Sequence, residues 1–377
     1  MTSSHTTDTS SEVISSTINS VFIPWDNPEN VMSHETYVKF DDALTCYVVP
    51  VLFIMGAGGN LLNCAVFWMQ GLKERMNLCL FCLALTDLMY VLFHTVMVSY
   101  CVVEKLAASV IDVQYYKWYA RRFSVGPMIG FMYSSGCLTT IISVERCLCV
   151  TMPMKAASLL KTRTMGLIIG VCVVLMHTLC VQYTLRFDLG YVLDPYSGQR
   201  VFTMILSDLY FANQDFFDFV ENVILSFFIP FFIVSVATVA TGVTVVKLHG
   251  TVAWRQNSIS TRSDDKDKSL VALSQMLVMV SVIFIVSSLP VMALAIVRTA
   301  VAEFSVGGKY ANMYYAAHLC NSVVFMVNCC VNVCVYFTRS SRYRKECRAI
   351  FFAGRANRRV KEADDTVEIT QATNATA

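Results

Sequence analysis

The chain has 377 residues, of which 55% are hydrophobic and 15% are charged. This composition is too apolar for one soluble core, and a net charge of +2 gives no indication of a nucleic-acid partner. We therefore expect most of the chain to lie in a lipid bilayer.

Residues 1–43 are polar and rich in Ser and Thr, and they lack the basic and apolar regions of a cleaved signal peptide. We expect a flexible extracellular segment here. Apolar runs long enough to cross a membrane then recur along the chain. They predict an all-α bundle of seven transmembrane helices within residues 44–340, with spans at 44–70, 77–103, 119–148, 165–185, 219–247, 270–298 and 311–337. The segment at 186–218 is read as a loop.

Lys and Arg residues favour one orientation. With the N-terminus outside, 20 of the 29 basic residues fall on the inner side, as the positive-inside rule requires. The sequence therefore predicts a multi-pass plasma-membrane protein with an extracellular N-terminus. The outer segments are acidic, which would favour a cationic ligand unless these acids are simply solvated.

Most of the 15 cysteines lie within apolar runs, where thiols usually serve as small packing groups. Cys46 and Cys101 differ, because both fall near the outer ends of the first two spans. They are candidates for a disulfide in an oxidising exterior.

Asp87 stands in the middle of the second span, where a carboxylate needs a partner or a cation. One interpretation is a neutral, hydrogen-bonded acid. The other is a site for a small cation such as sodium, because other spans offer oxygen ligands in Asn60, Ser135, Asn328 and Asn332.

Glu145 and Arg146 follow an uncharged stretch, 123–142, and Pro153 comes seven residues after the arginine. Charges beside a hydrocarbon span are costly unless they pair or reach the interface. The pair is therefore a candidate functional element. Pro230 and Pro290 each remove a backbone hydrogen bond and predict kinks in the fifth and sixth spans.

Residues 341–352 alternate basic and apolar positions with helical spacing, which predicts an amphipathic eighth helix on the inner membrane surface. Cys347 on this helix is a candidate for palmitoylation, with a free thiol as the alternative. Residues 353–377 lack apolar content, so we expect a disordered cytoplasmic tail.

Several motifs together give the chain a resemblance to rhodopsin-like (class A) G-protein-coupled receptors across residues 44–352. The matching motifs are Gly59-Asn60, Leu83-Ala84-Leu85-Thr86-Asp87, Glu145-Arg146-Cys147, Pro153, Pro230, Phe284 with Pro290, Asn332-Val333-Cys334-Val335-Tyr336, and Tyr343. The resemblance implies a receptor that binds an extracellular ligand and activates a heterotrimeric G protein by outward movement of helix six.

The resemblance also implies roles for particular residues. Glu145, Arg146, Pro153, Asn332 and Tyr336 would form the G-protein coupling switch. Pro230, Phe284 and Pro290 would act as hinges in a bistable bundle. Asp87, Ser135, Asn328 and Asn332 would hold an allosteric sodium ion, and we expect no other cofactor or metal. The ligand pocket would be lined by His94, Met97, Met128, Met132, Tyr133, Asn222, Ser226, Ser288, Met292, His318 and Ser322.

Departures from the family pattern reduce the number of ligand classes to be expected. The outer-disulfide cysteine is replaced by Arg121, and the tryptophan of the sixth span is replaced by Ser288. Met128 stands at the position of the amine-binding aspartate, and Met326 at that of the retinal lysine, so amines and retinal are not expected. No acid faces Arg146 from the sixth span, where Leu270 stands.

Within the family, the chain most resembles molluscan chemosensory receptors, and FMRFamide-type peptide receptors come next. A membrane channel or transporter is the rival class, since Asp87 and Arg146 could line an ion path. A receptor-like protein that does not signal is a third interpretation. The sequence shows no P-loop, metal-ligand spacing or nucleophile–base motif, so an enzyme is not expected.

Overall fold

A computed structural model describes residues 30–193, 200–257, 265–305 and 308–351. Within these ranges, seven helical segments are long and apolar enough to cross a membrane: His34–Gln70, Arg75–Val98, Val113–Thr151, Thr162–Leu185, Gln214–Gly250, Ala272–Ala300 and Ala311–Arg339. We number them spans 1 to 7. The predicted seven-helix architecture is confirmed.

Shorter elements complete the described part of the chain. Spans 1 and 5 contain π-helical stretches, at Leu44–Val48 and Val220–Phe228, which are continued by α-helices Val49–Gln70 and Ile229–Asn257. The helix that holds span 6 runs from Asp265 to Ala300. Further α-helices cover Tyr100–Ala107, Pro153–Leu159, Gln182–Leu185, Asp208–Ala212, Gln214–Phe219 and residues 341–351.

The N-terminal segment differs from the prediction of flexibility over its last ten residues. His34–Ala43 is an α-helix whose first turn is capped by the Ser33 hydroxyl and contains Glu35, which suits the positive end of the helix dipole. The Asn312 amide donates a hydrogen bond to the Met32 carbonyl at 2.9 Å, so this helix is docked on span 7. Residues 1–29 and the predicted tail at 353–377 lie outside the described residues.

Span 2 ends at Val98 instead of residue 103, and a separate helix, Tyr100–Ala107, follows. This second helix carries Cys101, which forms a disulfide with Cys46 of span 1 across a Cα–Cα distance of 5.9 Å. The turn at Ser99 therefore lets the chain bring Cys101 against the first π-helical stretch.

The segment between spans 4 and 5 is not an irregular loop. It contains strands β1 (Phe187–Leu193) and β2 (Arg200–Leu206), which pair antiparallel as a hairpin with Phe187 opposite Leu206. The hairpin rests on span 3, where Tyr115 and Phe202 have ring centroids 4.2 Å apart. We call this end of the bundle the hairpin end.

A cluster of charges ties the hairpin end together. Arg186, at the end of span 4, pairs with Glu221 and lies 3.2 Å from Asp218, both of span 5. Arg298 of span 6 reaches the same Glu221 at 3.5 Å. Paired charges at this position link three spans without any disulfide to the hairpin among the described cysteines.

Span 3 is the longest helix at 39 residues and is buried by most of the bundle. Its hydroxyl side chains donate to carbonyls one turn earlier, as Ser134 does to Gly130 and Thr139 to Ser135. Such bonds satisfy polar groups where hydrocarbon offers no partner.

The close approach of spans 1 and 7 depends on a small residue, because a Cβ added to Gly59 would lie 2.9 Å from a methyl carbon of Val333.

Candidate functional site

The predicted sodium-site residues meet around Asp87, whose side chain is fully buried. Ser135 donates to one carboxylate oxygen at 2.5 Å, and the amide of Asn332 donates to the other at 2.8 Å. Asn328 is buried nearby but accepts its hydrogen bond from Ser287 of span 6 at 3.2 Å. Three of the four residues therefore share direct contacts, and the fourth connects the group to span 6.

Asn60 does not join this group. Its amide donates to the carbonyls of Gly56 and Cys329, at 3.0 and 3.1 Å, and so ties span 1 to span 7. The remaining set still offers a carboxylate, a hydroxyl and amide oxygens, which are the hard ligands that a sodium ion takes. The donor set fits this ion, and its binding stays a prediction.

Glu145 and Arg146 form the buried ion pair that the sequence suggested. The arginine Nε contacts one carboxylate oxygen, and its terminal nitrogen donates to the other at 2.7 Å. Glu145 is 1% exposed and Arg146 is 5% exposed. A buried charge pair of this kind has a large cost of separation, so each arrangement of the pair is a distinct state.

Sequence reasoning missed a third member of this site. Arg75, at the start of span 2, places its Nε 2.8 Å from Glu145 and donates to the Cys149 sulfur at 3.0 Å. Glu145 therefore forms ion pairs with both Arg75 and Arg146. It is the only acid paired with Arg146 among the described residues. The position of Arg75 beside a membrane boundary could have marked it, because such charges need partners.

Tyr336 and Tyr343 pack together beside span 1. Tyr336 is fully buried with its ring 5.3 Å from that of Phe67, while the Tyr343 hydroxyl donates to Asn63 at 2.6 Å. The eighth helix is thereby fixed to span 1, and we call this the eighth-helix end of the bundle.

Cys347 lies one turn after Tyr343 and is 2% exposed. Burial raises the pKa of its thiol, which disfavours the reactive thiolate. Of the two interpretations this geometry favours the free thiol, because residues four apart share a helix face and Tyr343 holds that face against the bundle. Palmitoylation of Cys347 stays a prediction.

The predicted hinge residues occupy the middle of spans 5 and 6. Pro230 lies two residues after the π-helical stretch, and Pro290 lies inside the long helix of span 6. Phe284 is 4% exposed and packs so near Gly136 of span 3 that an added Cβ would lie 3.3 Å from its ring. These positions connect spans 3, 5 and 6, and movement about them stays a prediction.

The predicted pocket residues divide by burial. Met128, Tyr133 and Ser288 are buried, and the hydroxyls of the last two donate to the carbonyls of Leu225 and Phe284. His94 is fully buried, and neither of its ring nitrogens has a hydrogen-bond partner among the described residues. The half-buried members are Met97, Met132, Ser226, Met292, His318 and Ser322.

Asn222 is a correction to the predicted pocket, because its side chain is exposed. It lies within the π-helical stretch, where Val220 and Leu225 carry the buried face. A π-helix closes hydrogen bonds five residues apart, so offsets counted on an α-helix point to the wrong side.

The described chain is thus a bundle of seven membrane-spanning helices with a buried Glu145–Arg146 pair at one end and a polar cluster around Asp87 at its centre. The chain matches the family described as 7 transmembrane receptor (rhodopsin family) over residues 59–336, and it belongs to this family. No curated protein matches the chain.

Membership makes the chain a G-protein-coupled receptor of the plasma membrane, with an extracellular ligand and a G protein as partners. It is a receptor and not an enzyme.

Proposed function

We propose that the receptor has its N-terminus outside the cell and carries a signal from the hairpin end to the eighth-helix end. The buried Glu145–Arg146 pair is the observation that supports this most directly. It lies at the end where the basic residues accumulate, which the positive-inside rule assigns to the cytoplasm.

At rest, Glu145 holds Arg146 through two hydrogen bonds. Activation would release the arginine toward an inserted G-protein helix while span 6 moves outward about Pro290, with Tyr336 moving alongside. A ligand shifts this equilibrium only by its difference in affinity for the two states, typically about 1–3 kcal/mol. Sodium at Asp87 would favour one state because its ligands come from spans 2, 3 and 7.

The proposed ligand is a neutral small molecule, and the proposed role is chemosensory. None of the eleven predicted pocket residues is Asp, Glu, Lys or Arg, and methionines supply much of the lining. Apolar pockets with a few polar groups are typical of small-molecule sites. His94 provides such a group, since its buried ring nitrogens have no partner among the described residues.

An FMRFamide-like neuropeptide is the second candidate ligand, and the hairpin favours it. Tyr191, Leu193 and Val201 on its strands are 58%, 59% and 41% exposed. Exposed strands with apolar side chains can bind an extended peptide through backbone hydrogen bonds. Truncating these side chains would weaken a peptide response and leave a small-molecule response intact, whereas His94→Ala would do the reverse.

The test is nucleotide exchange on purified heterotrimeric G proteins by receptor in nanodiscs, with libraries of neutral odorants and of amidated peptides as probes. Arg146→Ala should abolish exchange, because it removes the cation that the proposed switch releases from Glu145. Arg342→Gln is the matched control, since this arginine pairs with Glu74 at the same end with both side chains about half exposed. Ligand-dependent exchange that survives Arg146→Ala would contradict the proposed switch.

A further inference from the structure

The eighth-helix end contains an arginine that the family-derived switch does not use. Arg75 donates from its Nε to the Glu145 oxygen that Arg146 also contacts, at 2.8 Å against 2.7 Å for Arg146. The other carboxylate oxygen contacts only Arg146. Both arginines therefore bind the buried Glu145 carboxylate, but only Arg146 contacts both of its oxygens.

Arg75 is also held in place by a second set of bonds. One of its terminal nitrogens donates to the carbonyls of Leu160 and Ala156, at 3.1 and 3.5 Å. These carbonyls close the helix Pro153–Leu159, where the helix dipole favours a cation. Because these partners lie outside the Glu145–Arg146 pair, Arg75 has contacts that remain when Arg146 moves.

A buried carboxylate with no cation is costly, and breaking a buried pair by removing one partner is strongly destabilising. When Arg146 leaves, Glu145 at 1% exposure would be such a group if no other cation were present. Arg75 keeps one hydrogen bond to it and lowers the cost of releasing Arg146.

We propose that Arg75 is a positioning residue of the switch: it retains Glu145 as a paired, buried anion in the active state and thereby makes release of Arg146 easier. This rests on the proposed function, in which Arg146 leaves Glu145 during activation. The same bonds join span 2, span 3 and the helix Pro153–Leu159 into one unit.

The experiment is a double-mutant comparison without ligand. Arg75→Gln is made in the native chain and in Glu145→Gln, and each receptor is assayed for basal nucleotide exchange. We expect Arg75→Gln to lower exchange about tenfold in the native chain, the effect of losing one charged hydrogen bond. In Glu145→Gln the same change should alter exchange by less than about twofold, because no anion remains to be neutralised.

Two further variants distinguish the effect of the positive charge of Arg75 from the effect of its contacts to Glu145 and Leu160. Arg75→Lys keeps the cation but not the geometry that reaches both Glu145 and Leu160, so exchange near the native level indicates that the charge is what matters. Arg342→Gln, at the same end but on an exposed pair, should leave exchange unchanged. Each variant is compared only if it elutes as a monodisperse receptor with native yield.

A second readout does not depend on any G protein. Spin labels at the exposed positions Thr164 and Gln275, attached by chemistry that spares native thiols, report the distance between spans 4 and 6. Arg75→Gln should reduce the population with the longer distance in the native chain only.

A rise or no change in both readouts with Arg75→Gln would overturn the proposal. An equal fall in the native and Glu145→Gln backgrounds would also overturn it, because the arginine would then act only through the helix Pro153–Leu159. If instead Arg146→Ala still supports full exchange, the proposed function fails, and the distance readout still decides whether Arg75 favours the open state.

Discussion

At the scale of single residues, the site consists of a few buried polar groups that are each hydrogen-bonded to specific partners. Asp87 receives two hydrogen bonds, and Glu145 receives bonds from two arginines. In hydrocarbon such groups are stable only when paired, so a change of partner is a change of state. The proposed switch at Glu145 and the proposed sodium site at Asp87 would therefore change state while the surrounding apolar core stays packed.

The Asp87 cluster leads to a prediction about sodium. Replacing choline by sodium at constant ionic strength should raise the thermal stability of the purified receptor, by about 1.4 kcal/mol when sodium is about tenfold above its dissociation constant. Asp87→Asn should remove this dependence, because it removes the only charged ligand. The measurement is the unfolding midpoint against sodium concentration.

Ser143→Ala is the matched control for that titration. Ser143 is buried in span 3, as is Ser135, but it bonds to Ser281 instead of Asp87. It should keep the sodium dependence, whereas Ser135→Ala should weaken it. Equal stabilisation by potassium and sodium, or a sodium effect that persists in Asp87→Asn, would refute the site.

At the scale of elements, two π-helical stretches decide which side chains face the bundle. The first carries Cys46 into the disulfide with Cys101, and the second turns Asn222 outward while Leu225 is fully buried. An extra residue per turn rotates every following side chain, and Pro230 just after the second stretch cannot donate the next backbone bond. Sequence offsets that assume an α-helix fail at these places.

The disulfide makes a prediction at this scale. Cys101→Ser should lower the stability of the receptor by roughly 2–4 kcal/mol, because the bond closes a loop between spans 1 and 2. Thermal unfolding in detergent measures this, and mass spectrometry of an unreduced digest should find the linked peptides.

Cys334→Ser is the control, as Cys334 is an exposed free cysteine of span 7. Cys46→Ser should match Cys101→Ser, and the double variant should be no less stable than either, since the two share one bond. Additive losses would mean that the thiols act separately.

At the scale of the whole molecule, the two ends of the bundle are built differently. The hairpin end is held by the disulfide, the docked helix His34–Ala43 and the ion cluster around Glu221. The eighth-helix end is held by the Arg75–Glu145–Arg146 group and by packed tyrosines. We expect the first to face the oxidising exterior and the second to face the G protein.

Orientation can be tested by glycosylation. Val21→Thr would make Asn19 the acceptor of an N-x-S/T sequon in the N-terminal segment, and cells should then glycosylate the receptor. The native sequon at Asn374 should stay unmodified because it is predicted to be cytoplasmic. A glycan on the unaltered receptor that disappears with Thr376→Ala would reverse the topology.

Much of the architecture could be predicted because each membrane helix requires an apolar run of sufficient length, which can be seen in the sequence. The residues around Asp87 could be grouped for a related reason, since polar groups in hydrocarbon must find one another. Arg75 was missed because its partner lies 70 positions along the chain on another span. The hairpin was missed although the six residues between its strands include Asp194, Pro195 and Gly198, which are typical of turns, because each strand has only seven residues.

The sequence by itself determined the seven spans, the Glu145–Arg146 pair and the resemblance to rhodopsin-like receptors, because hydropathy and adjacency are local properties. Only the tertiary structure decided which charges share a partner, that Cys347 is buried and that Asn222 faces away from the buried side of its helix. Those outcomes depend on helix rotation and on contacts between distant spans, which no local pattern encodes.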